Sequence, residues 1–236
     1  MGRALARHLA ARRDSIALLG RREADLERSA RDLEIRAGFN EGAIKTAACD
    51  LEDPRSFAPA LLSAETLMGG LDAVVVTAGV FASQERLESD PELLARMLRV
   101  NFAHTVLFCE EARKRLLSKG GGTLCVFSSV AGERGRKPVV LYGATKAGLS
   151  RYLEGLDHRY RSHGLRVVCV KPGFVRTGMT AGLPEPPFAG DPEDVARVVA
   201  RGLERGTPVL YAPPIWRLIM AVIRSLPRGV MRRVAF

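Results

Sequence analysis

The 236-residue chain has few cysteines and only one tryptophan. Its four cysteines lie far apart, form no Cys-x-x-Cys pair and have no histidine at metal-ligand spacing, so we predict no metal site. All of them stand in apolar surroundings, which favours buried thiols in a reducing compartment. They are Cys49, Cys109, Cys125 and Cys169.

No stretch of the sequence reaches the roughly 18 apolar residues that a membrane-spanning helix needs. Arginines interrupt every apolar run near the N-terminus, which does not resemble a signal peptide. We therefore expect a cytoplasmic protein. Contact with the inner face of the membrane stays open as an alternative.

The charge is unevenly distributed. Lys and Arg number 36 against 26 Asp and Glu, giving a net charge of +10, and 30 of the 36 basic residues are Arg. Such a balance favours anionic partners: nucleic acid, a membrane surface or a phosphorylated small molecule. Five of the ten net charges follow Tyr211. The arginines are dispersed or in this tail and lack stacking aromatics, so we expect no nucleic-acid partner.

The chain alternates β-rich apolar runs with helical patterns, and no repeat or linker divides it. This alternation predicts an α/β fold with a doubly wound, Rossmann-like parallel sheet. We assign residues 1–212 to one such domain and residues 213–236 to an amphipathic basic tail. The predicted strands are Ser15–Leu19, Ala43–Cys49, Ala73–Thr77, Thr123–Ser128, Arg166–Val170 and Pro208–Tyr211. The predicted helices are Gly2–Ala11, Arg22–Ala37, Pro54–Met68, Pro91–Ser118, Leu141–Ser162 and Pro192–Gly202.

Tyr142 and Lys146 are four residues apart on a predicted helix and so share a face. A phenol ionises near pH 10, and an ammonium about 4 Å away stabilises the phenolate by up to about 4 kcal/mol. Lys146 would thereby lower the pKa of Tyr142 by about two to three units, into the range useful for acid–base work. The pair is a candidate proton donor to a carbonyl being reduced.

Three further features of the sequence accompany this pair. Ser129 precedes Tyr142 by thirteen residues, Asn101 precedes Ser129 by twenty-eight, and Pro172-Gly173 follows Tyr142 by thirty. Taken singly, each residue has an ordinary explanation, such as a packed aromatic, a helix cap, a surface amide or a turn. Together the segments resemble the short-chain dehydrogenase/reductase family over nearly the whole chain. They are Cys49-Asp50-Leu51, Ala78-Gly79, Asn101, Ser128 to Gly132, Tyr142 to Lys146 and Pro172 to Thr177.

This resemblance implies a role for each matching residue. Tyr142 would be the general acid/base, Lys146 would lower its pKa and hold the nicotinamide ribose, Ser129 would polarise the carbonyl, and Asn101 would complete a water-mediated proton relay. The implied cofactor contacts are Gly2, Asp50, Leu51, Ala78, Gly79, Val100, Tyr142, Lys146, Pro172, Gly173, Val175 and Thr177.

The cofactor preference rests on the residues after the first predicted strand. Enzymes of this architecture that use NAD place an acidic residue after the second strand of the fold to hold the ribose hydroxyls. In this chain, the first predicted strand takes the place of that second strand. The chain has Arg21 and Arg22 at this place, and guanidinium groups suit a 2′-phosphate. We therefore expect both arginines to bind the cofactor and NADP(H) to be preferred over NAD(H). A solvated helix start is the alternative, and it is compatible with this role.

The sequence departs from the family at its beginning. Met1-Gly2 looks like the end of the glycine-rich phosphate loop, and the family's first strand and most of that loop are absent. In the family this strand lies between the strands represented here by Ser15–Leu19 and Ala73–Thr77. The hypothesis is a start assigned too late, or a truncation. A smaller departure is Thr77, where the family commonly has Asn.

The residues after Phe174 concern the substrate. We expect Phe174–Gly190 to form an apolar lid, and Tyr211–Arg224 to form a short apolar helix that ends at Leu226-Pro227. This helix would lie in a membrane interface, or pack on the body or in a homo-oligomer interface. Parts of the C-terminal half are similar to reductases of decaprenylphosphoryl-2-keto-ribose, which act on a lipid-linked keto-sugar.

The sequence thus favours an NADP(H)-dependent reductase of a ketone, acting on an amphiphilic or lipid-linked keto-sugar. The alternative within the class is a general carbonyl, 3-oxoacyl or steroid-type reductase. The alternative outside it is a non-catalytic, nucleotide-sensing or scaffold protein of the same fold.

Overall fold

Six short parallel strands form the centre of the molecule in two hydrogen-bonded groups. The computed structural model describes residues 1–234. One group pairs β1 with β2, and the other has the order β3-β4-β5-β6. The strands are β1 (Ala17–Gly20), β2 (Lys45–Ala48), β3 (Ala73–Val76), β4 (Gly122–Phe127), β5 (Leu165–Pro172) and β6 (Val209–Ala212).

Helices cover both faces of these strands. They are α1 (Gly2–Ala11), α2 (Glu23–Ala37), α3 (Phe57–Met68), α4 (Gln84–Ser89), α5 (Pro91–Leu98), α6 (His104–Ser118), α7 (Val140–Tyr160), α8 (Pro192–Arg205), α9 (Trp216–Ser225) and α10 (Arg228–Arg233). Buried side chains of α3, α6 and α7 form one apolar cluster with the strands, and those of α1 and α8 form another. The predicted α/β fold with a doubly wound parallel sheet is confirmed.

The strands form two separate groups. Among residues 1–234, no strand joins the pair β1-β2 to the other four by hydrogen bonds. The family resemblance places a further strand between β1 and β3, and its loss from this chain stays a prediction. The two groups are nevertheless connected, because Arg96 of α5 binds Glu52 after β2 at 2.7 Å, and His104 Nδ1 lies 2.7 Å from the Leu51 carbonyl oxygen.

The single helix predicted over Pro91–Ser118 is wrong. A π-helical turn over Arg99–Ala103 separates α5 from α6. The Thr105 hydroxyl donates to the Val100 carbonyl at 2.6 Å, a side-chain bond that competes with regular helical pairing. Apolar spacing does not reveal a one-residue insertion of this kind, although such turns are frequent at functional sites. Helix α4 was not predicted either.

The predicted start of the C-terminal helix is also wrong. Tyr211 and Ala212 pair with Lys171 and Pro172 as part of β6, and α9 begins only at Trp216. Its predicted end at Leu226-Pro227 is confirmed.

One face of α9 packs on the body of the protein. Trp216, Met220 and Ile223 are buried in a cluster with Val130. This face is therefore not available to a membrane, and any membrane contact must use the opposite one. Among residues 1–234, no helix combines the length and apolar character needed to cross a bilayer.

Candidate active site

The predicted site residues follow the carboxyl ends of the parallel strands. Arg21 follows β1, Asp50 follows β2, Gly79 follows β3, Ser129 follows β4, and Gly173 follows β5. Strands that run parallel end at the same edge of a sheet, which is where α/β folds bind ligands. The same edge receives the N-terminus of α1, because a Cβ on Gly2 would lie 2.5 Å from Thr77 Oγ1.

Asn101 is held in the π-helical turn with its side chain buried, only 1% of the residue being exposed. Its Oδ1 accepts the Val80 N–H at 2.7 Å, and its Nδ2 donates to the Val80 carbonyl at 2.7 Å. Asn101 therefore fixes the backbone just after Gly79. Val100, a predicted cofactor contact, is buried beside it.

Lys146 is buried on the face of α7 that looks toward β4. Its Nζ donates to the Phe127 carbonyl at 3.0 Å, and burial lowers the pKa of Lys146 to about 8. Its own carbonyl accepts a hydrogen bond from the Ser128 hydroxyl at 2.9 Å. The end of β4 thus holds Lys146 by both its side chain and its backbone.

Tyr142 lies one helical turn before Lys146, beside Ser129. The Ser129 hydroxyl accepts the Ala131 N–H at 3.1 Å, which orients it in the turn after β4. Burial raises the pKa of Tyr142 to about 12, and hydrogen bonding to Ser129 opposes this rise. The structure therefore brings the predicted pair and Ser129 together.

The predicted lowering of the Tyr142 pKa by Lys146 is wrong for this arrangement. Lys146 Nζ lies 5.8 Å from the centre of the Tyr142 ring and is directed to the Phe127 carbonyl. Burial disfavours the phenolate and raises the pKa of Tyr142 to about 12, so the phenol keeps its proton at neutral pH. A protonated phenol is suited to donate a proton.

Two features of the edge fit a nicotinamide nucleotide. A Cβ on Gly79 would lie 3.3 Å from Asn101 Oδ1 and 3.6 Å from Lys146 Nζ, so the glycine leaves the space beside these two polar atoms clear. Among the residues that the structure describes, no side chain caps the N-terminus of α1, and the N–H groups of such a terminus suit a phosphate. Gly2, Gly79 and Lys146 fit a dinucleotide in chemical character.

The residues expected around the adenosine half lie near the surface. Arg21 and Arg22 are exposed at 56% and 82% of their side chains. Arg21 pairs with Glu52 at 3.1 Å, and Arg22 pairs with Asp25. Asp50 is partly buried, and its Oδ1 accepts the Glu52 N–H at 2.9 Å. Ala78 is exposed and Leu51 partly buried.

The segment after β5 is anchored at its beginning. Pro172 ends the strand, and a Cβ on Gly173 would lie 2.0 Å from Trp216 Nε1, so α9 lies directly over this glycine. Val175 is buried and forms an isolated bridge with Gly190, which closes the predicted lid at its base. The Thr177 N–H donates to Thr180 Oγ1 at 3.0 Å. Met179, Leu183 and Phe188 of the lid are exposed.

Two residues near Tyr142 were missed by the sequence analysis. Phe81 packs edge-on against the Tyr142 ring with centroids 5.1 Å apart. Gln84 is buried, and its Oε1 accepts the N–H of Leu141 at 3.1 Å. The position of Phe81 directly after Gly79-Val80 was an available signal. Nothing in the sequence indicates the role of Gln84.

Comparison with known proteins agrees with this arrangement. The family model for short chain dehydrogenases matches residues 1–187. An uncharacterized oxidoreductase of Streptomyces coelicolor is 34% identical over 99% of this chain and 91% of its own length. Carbonyl reductase family member 4 of Xenopus tropicalis is 29% identical over 79% of this chain and 84% of its own.

Solved structures agree in fold. A gluconate 5-dehydrogenase from Burkholderia cenocepacia in complex with NADP and tartrate has a TM-score of 0.79 at 20% identity. It covers 89% of this chain and 88% of its own.

The burial of Lys146 predicts a pH dependence of stability. Its pKa falls from 10.5 in the unfolded chain to about 8 in the folded one, so the unfolded chain binds more protons between these values. The free energy of unfolding should therefore rise with pH from 8 to 10, by at most about 3 kcal/mol from this group. Urea unfolding at several pH values should show this slope in the wild type and in Lys119→Met, but not in Lys146→Met. Equal slopes in all three would contradict the prediction.

Proposed function

We propose, since this chain belongs to the short-chain dehydrogenase family, that it interconverts a ketone and a secondary alcohol with NADP(H) as its coenzyme. The chain is an oxidoreductase of this family, whose fold binds nicotinamide cofactors. The observation that carries the proposal is that Ser129, Tyr142 and Lys146 lie together after β4, with Lys146 and Asn101 both beside Gly79.

Each catalytic residue has a distinct task. When bound, the nicotinamide supplies or accepts a hydride. The Ser129 hydroxyl donates a hydrogen bond to the carbonyl oxygen of the substrate, and Tyr142 gives its proton to that oxygen during reduction. Lys146 holds the cofactor ribose. Asn101 fixes the backbone at Val80, and its place in a proton relay to Lys146 rests on the family resemblance.

The edge of the sheet seats the cofactor through the remaining predicted residues. Gly2 and the N-terminus of α1 would hold the pyrophosphate, Ala78, Gly79 and Val100 would contact the ribose, and Asp50 and Leu51 would contact the adenine. Pro172, Gly173, Val175 and Thr177 would hold the carboxamide. Arg21 and Arg22 would bind the 2′-phosphate, and to do so they would exchange their contacts with Glu52 and Asp25.

The substrate is an amphiphilic or lipid-linked keto-sugar. Support comes from the exposed apolar side chains of the lid, from the basic tail and from the likeness of the C-terminal half to reductases of decaprenylphosphoryl-2-keto-ribose. The alternative substrates are general carbonyls, 3-oxoacyl thioesters and steroids. The alternative of another class is a nucleotide sensor without turnover.

The activity requires the Tyr142 hydroxyl. Tyr142→Phe keeps the ring against Phe81 but removes the proton donor, so NADPH oxidation should fall by a factor of about 10² to 10⁴. The assay is the loss of NADPH absorbance with a panel of keto-sugars, lipid-linked keto-sugars, steroids and oxoacyl thioesters. Tyr160→Phe, at the far end of α7, is the control and should keep wild-type activity.

Binding without turnover would support the alternative of another class. In that case the wild type would bind NADPH, measured by fluorescence, yet oxidise it with no member of the panel. Tyr142→Phe that oxidises NADPH at the wild-type rate would rule out the proposed mechanism.

The coenzyme preference depends on Arg21 and Arg22. Their replacement by Ser removes charge-assisted bonds to the 2′-phosphate, so the Kd of NADPH should rise about tenfold or more while that of NADH stays unchanged. Arg28→Ser is the matched control, because Arg28 also pairs with Asp25 but lies within α2, after the segment that holds Arg21 and Arg22. An equal loss of NADH and NADPH affinity would contradict the preference.

The outer face of α9 contacts an anionic membrane surface. Its exposed apolar residues are Leu218, which is 65% exposed, and Val222, and the exposed Ile215 directly precedes the helix. They lie on a tail whose charged residues are all arginines. Apolar insertion with arginines at the phosphates is the arrangement of an interfacial helix.

This contact can be measured with vesicles. Leu218→Ser with Val222→Ser should abolish sedimentation with vesicles rich in phosphatidylglycerol, whereas Leu62→Ser, an exposed leucine on α3, should not. Binding that is equal in phosphatidylcholine vesicles, or absent from both, contradicts the proposal. If the wild-type protein forms a dimer and the double variant does not, the outer face of α9 is instead an interface of a homo-oligomer.

A further inference from the structure

A group of charged and polar side chains surrounds a buried carboxylate in the turn that begins at Ser129, here called the catalytic turn. Glu133 follows Ser129 by four residues, and only 4% of its side chain is exposed. Its Oε1 accepts a hydrogen bond from Lys171 Nζ at 2.5 Å, and its Oε2 accepts one from the Tyr211 hydroxyl at 2.8 Å. Arg224 Nε of α9 lies 3.7 Å from the same Oε2. None of these four residues belongs to the proposed catalytic set.

The group joins four separate parts of the chain. Glu133 caps the short 3₁₀ turn Val130–Gly132 that begins at Ser129. Lys171 stands immediately before Pro172-Gly173, Tyr211 belongs to β6, and Arg224 lies near the end of α9. One carboxylate therefore links the serine turn to the end of β5, to the edge strand and to the C-terminal helix.

The other side of the turn is fixed by α7. The Gly132 N–H donates to the Ser129 carbonyl at 3.1 Å, and Glu133 N–H donates to the Val130 carbonyl at 3.1 Å. A Cβ on Gly132 would lie 2.5 Å from the carbonyl carbon of Lys146, so the turn already touches the backbone of α7. Because α7 contacts one side of the turn, the position of Ser129 also depends on the contacts of Glu133 at the C-terminal end of the turn.

We propose that Glu133 is a positioning residue, which acts with Lys171 and Tyr211 to hold Ser129 against Tyr142. This inference rests on the proposed function, because Ser129 must act on the substrate oxygen for its position to matter. The carboxylate is well suited to the task, since buried charge-assisted hydrogen bonds are short and directional. The contact with Arg224 extends the same support to α9.

The proposal predicts a chemical effect beyond stability. The Ser129 hydroxyl beside the phenol lowers the pKa of Tyr142 and so opposes the effect of burial. If the turn relaxes and Ser129 moves away, the pKa of Tyr142 rises further. The limb of the kcat–pH profile that reports the tyrosine then moves to higher pH, in the reductive and in the oxidative direction alike.

Two variants and one control test the assignment in the full chain. Glu133→Gln keeps the volume but removes the charge, and Tyr211→Phe removes one hydrogen bond while keeping the ring. The control is Glu65→Gln, because Glu65 also has a partly buried carboxylate that binds an arginine and a lysine, Arg115 and Lys119, but far from the catalytic turn. The measurements are kcat, KM, the kcat–pH profile and thermal unfolding, all with NADPH and the best ketone of the substrate panel.

Positioning requires that kcat fall about tenfold in Glu133→Gln and by a smaller factor in Tyr211→Phe, as the loss of supporting hydrogen bonds generally does. KM should change little, the tyrosine limb should move to higher pH, and Glu65→Gln should match the wild type in kcat and in the profile. Unchanged kcat and profile in both variants would overturn the assignment. So would a loss of kcat that disappears at temperatures where the variant is fully folded. An inactive wild type would instead overturn the proposed function itself.

Discussion

The close approach of α7 to the turn after β4 is the constraint on which the site depends. A Cβ on Gly132 would lie 2.5 Å from the Lys146 carbonyl carbon, and one on Gly143 would lie 2.8 Å from the Ala131 carbonyl oxygen. The missing side chains at these two positions let the helix and the turn meet backbone to backbone. Ser128 then bonds to the Lys146 carbonyl, while Lys146 Nζ reaches back to Phe127. Tyr142 lies on the same helix and is thereby positioned beside Ser129.

Holding a lysine in this place is energetically unfavourable. Burial of an ammonium costs free energy unless it is paired, and here one carbonyl provides the hydrogen bond. The lowered pKa of Lys146 is the visible result of that cost. The same helix offsets it farther along, where Leu149, Leu153 and Leu156 are buried in the apolar cluster with β4 and β5. One helix thus combines an unfavourable site at its beginning with a favourable core contact along its length.

The sequence predicted those parts of the site that follow from local pattern. Apolar strand runs and the residues after them located Gly79, Ser129 and Gly173, because parallel strands end at a common edge. It did not predict the parts that depend on tertiary contact. The π-helical turn at Asn101 and the raised pKa of Tyr142 arise from packing between segments that are far apart in the chain. Periodicity and pairwise spacing in the sequence do not reveal such packing. The sequence analysis therefore overestimated how far Lys146 lowers the pKa of Tyr142.

The helix of the basic tail, α9, contacts two segments near the candidate site. The indole of Trp216 lies against Gly173, and its Nε1 donates to the Phe188 carbonyl of the lid at 3.3 Å. Arg134 of the loop after the catalytic turn donates to the Leu226 carbonyl at 2.7 Å, at the other end of α9. Helix α9 is therefore attached at one end to the lid and at the other to the loop before α7. A partner that binds its outer face alters catalysis only if it has different affinities for two arrangements of these attachments. Through the hydrogen bond of Trp216 to the Phe188 carbonyl, α9 contacts the lid directly.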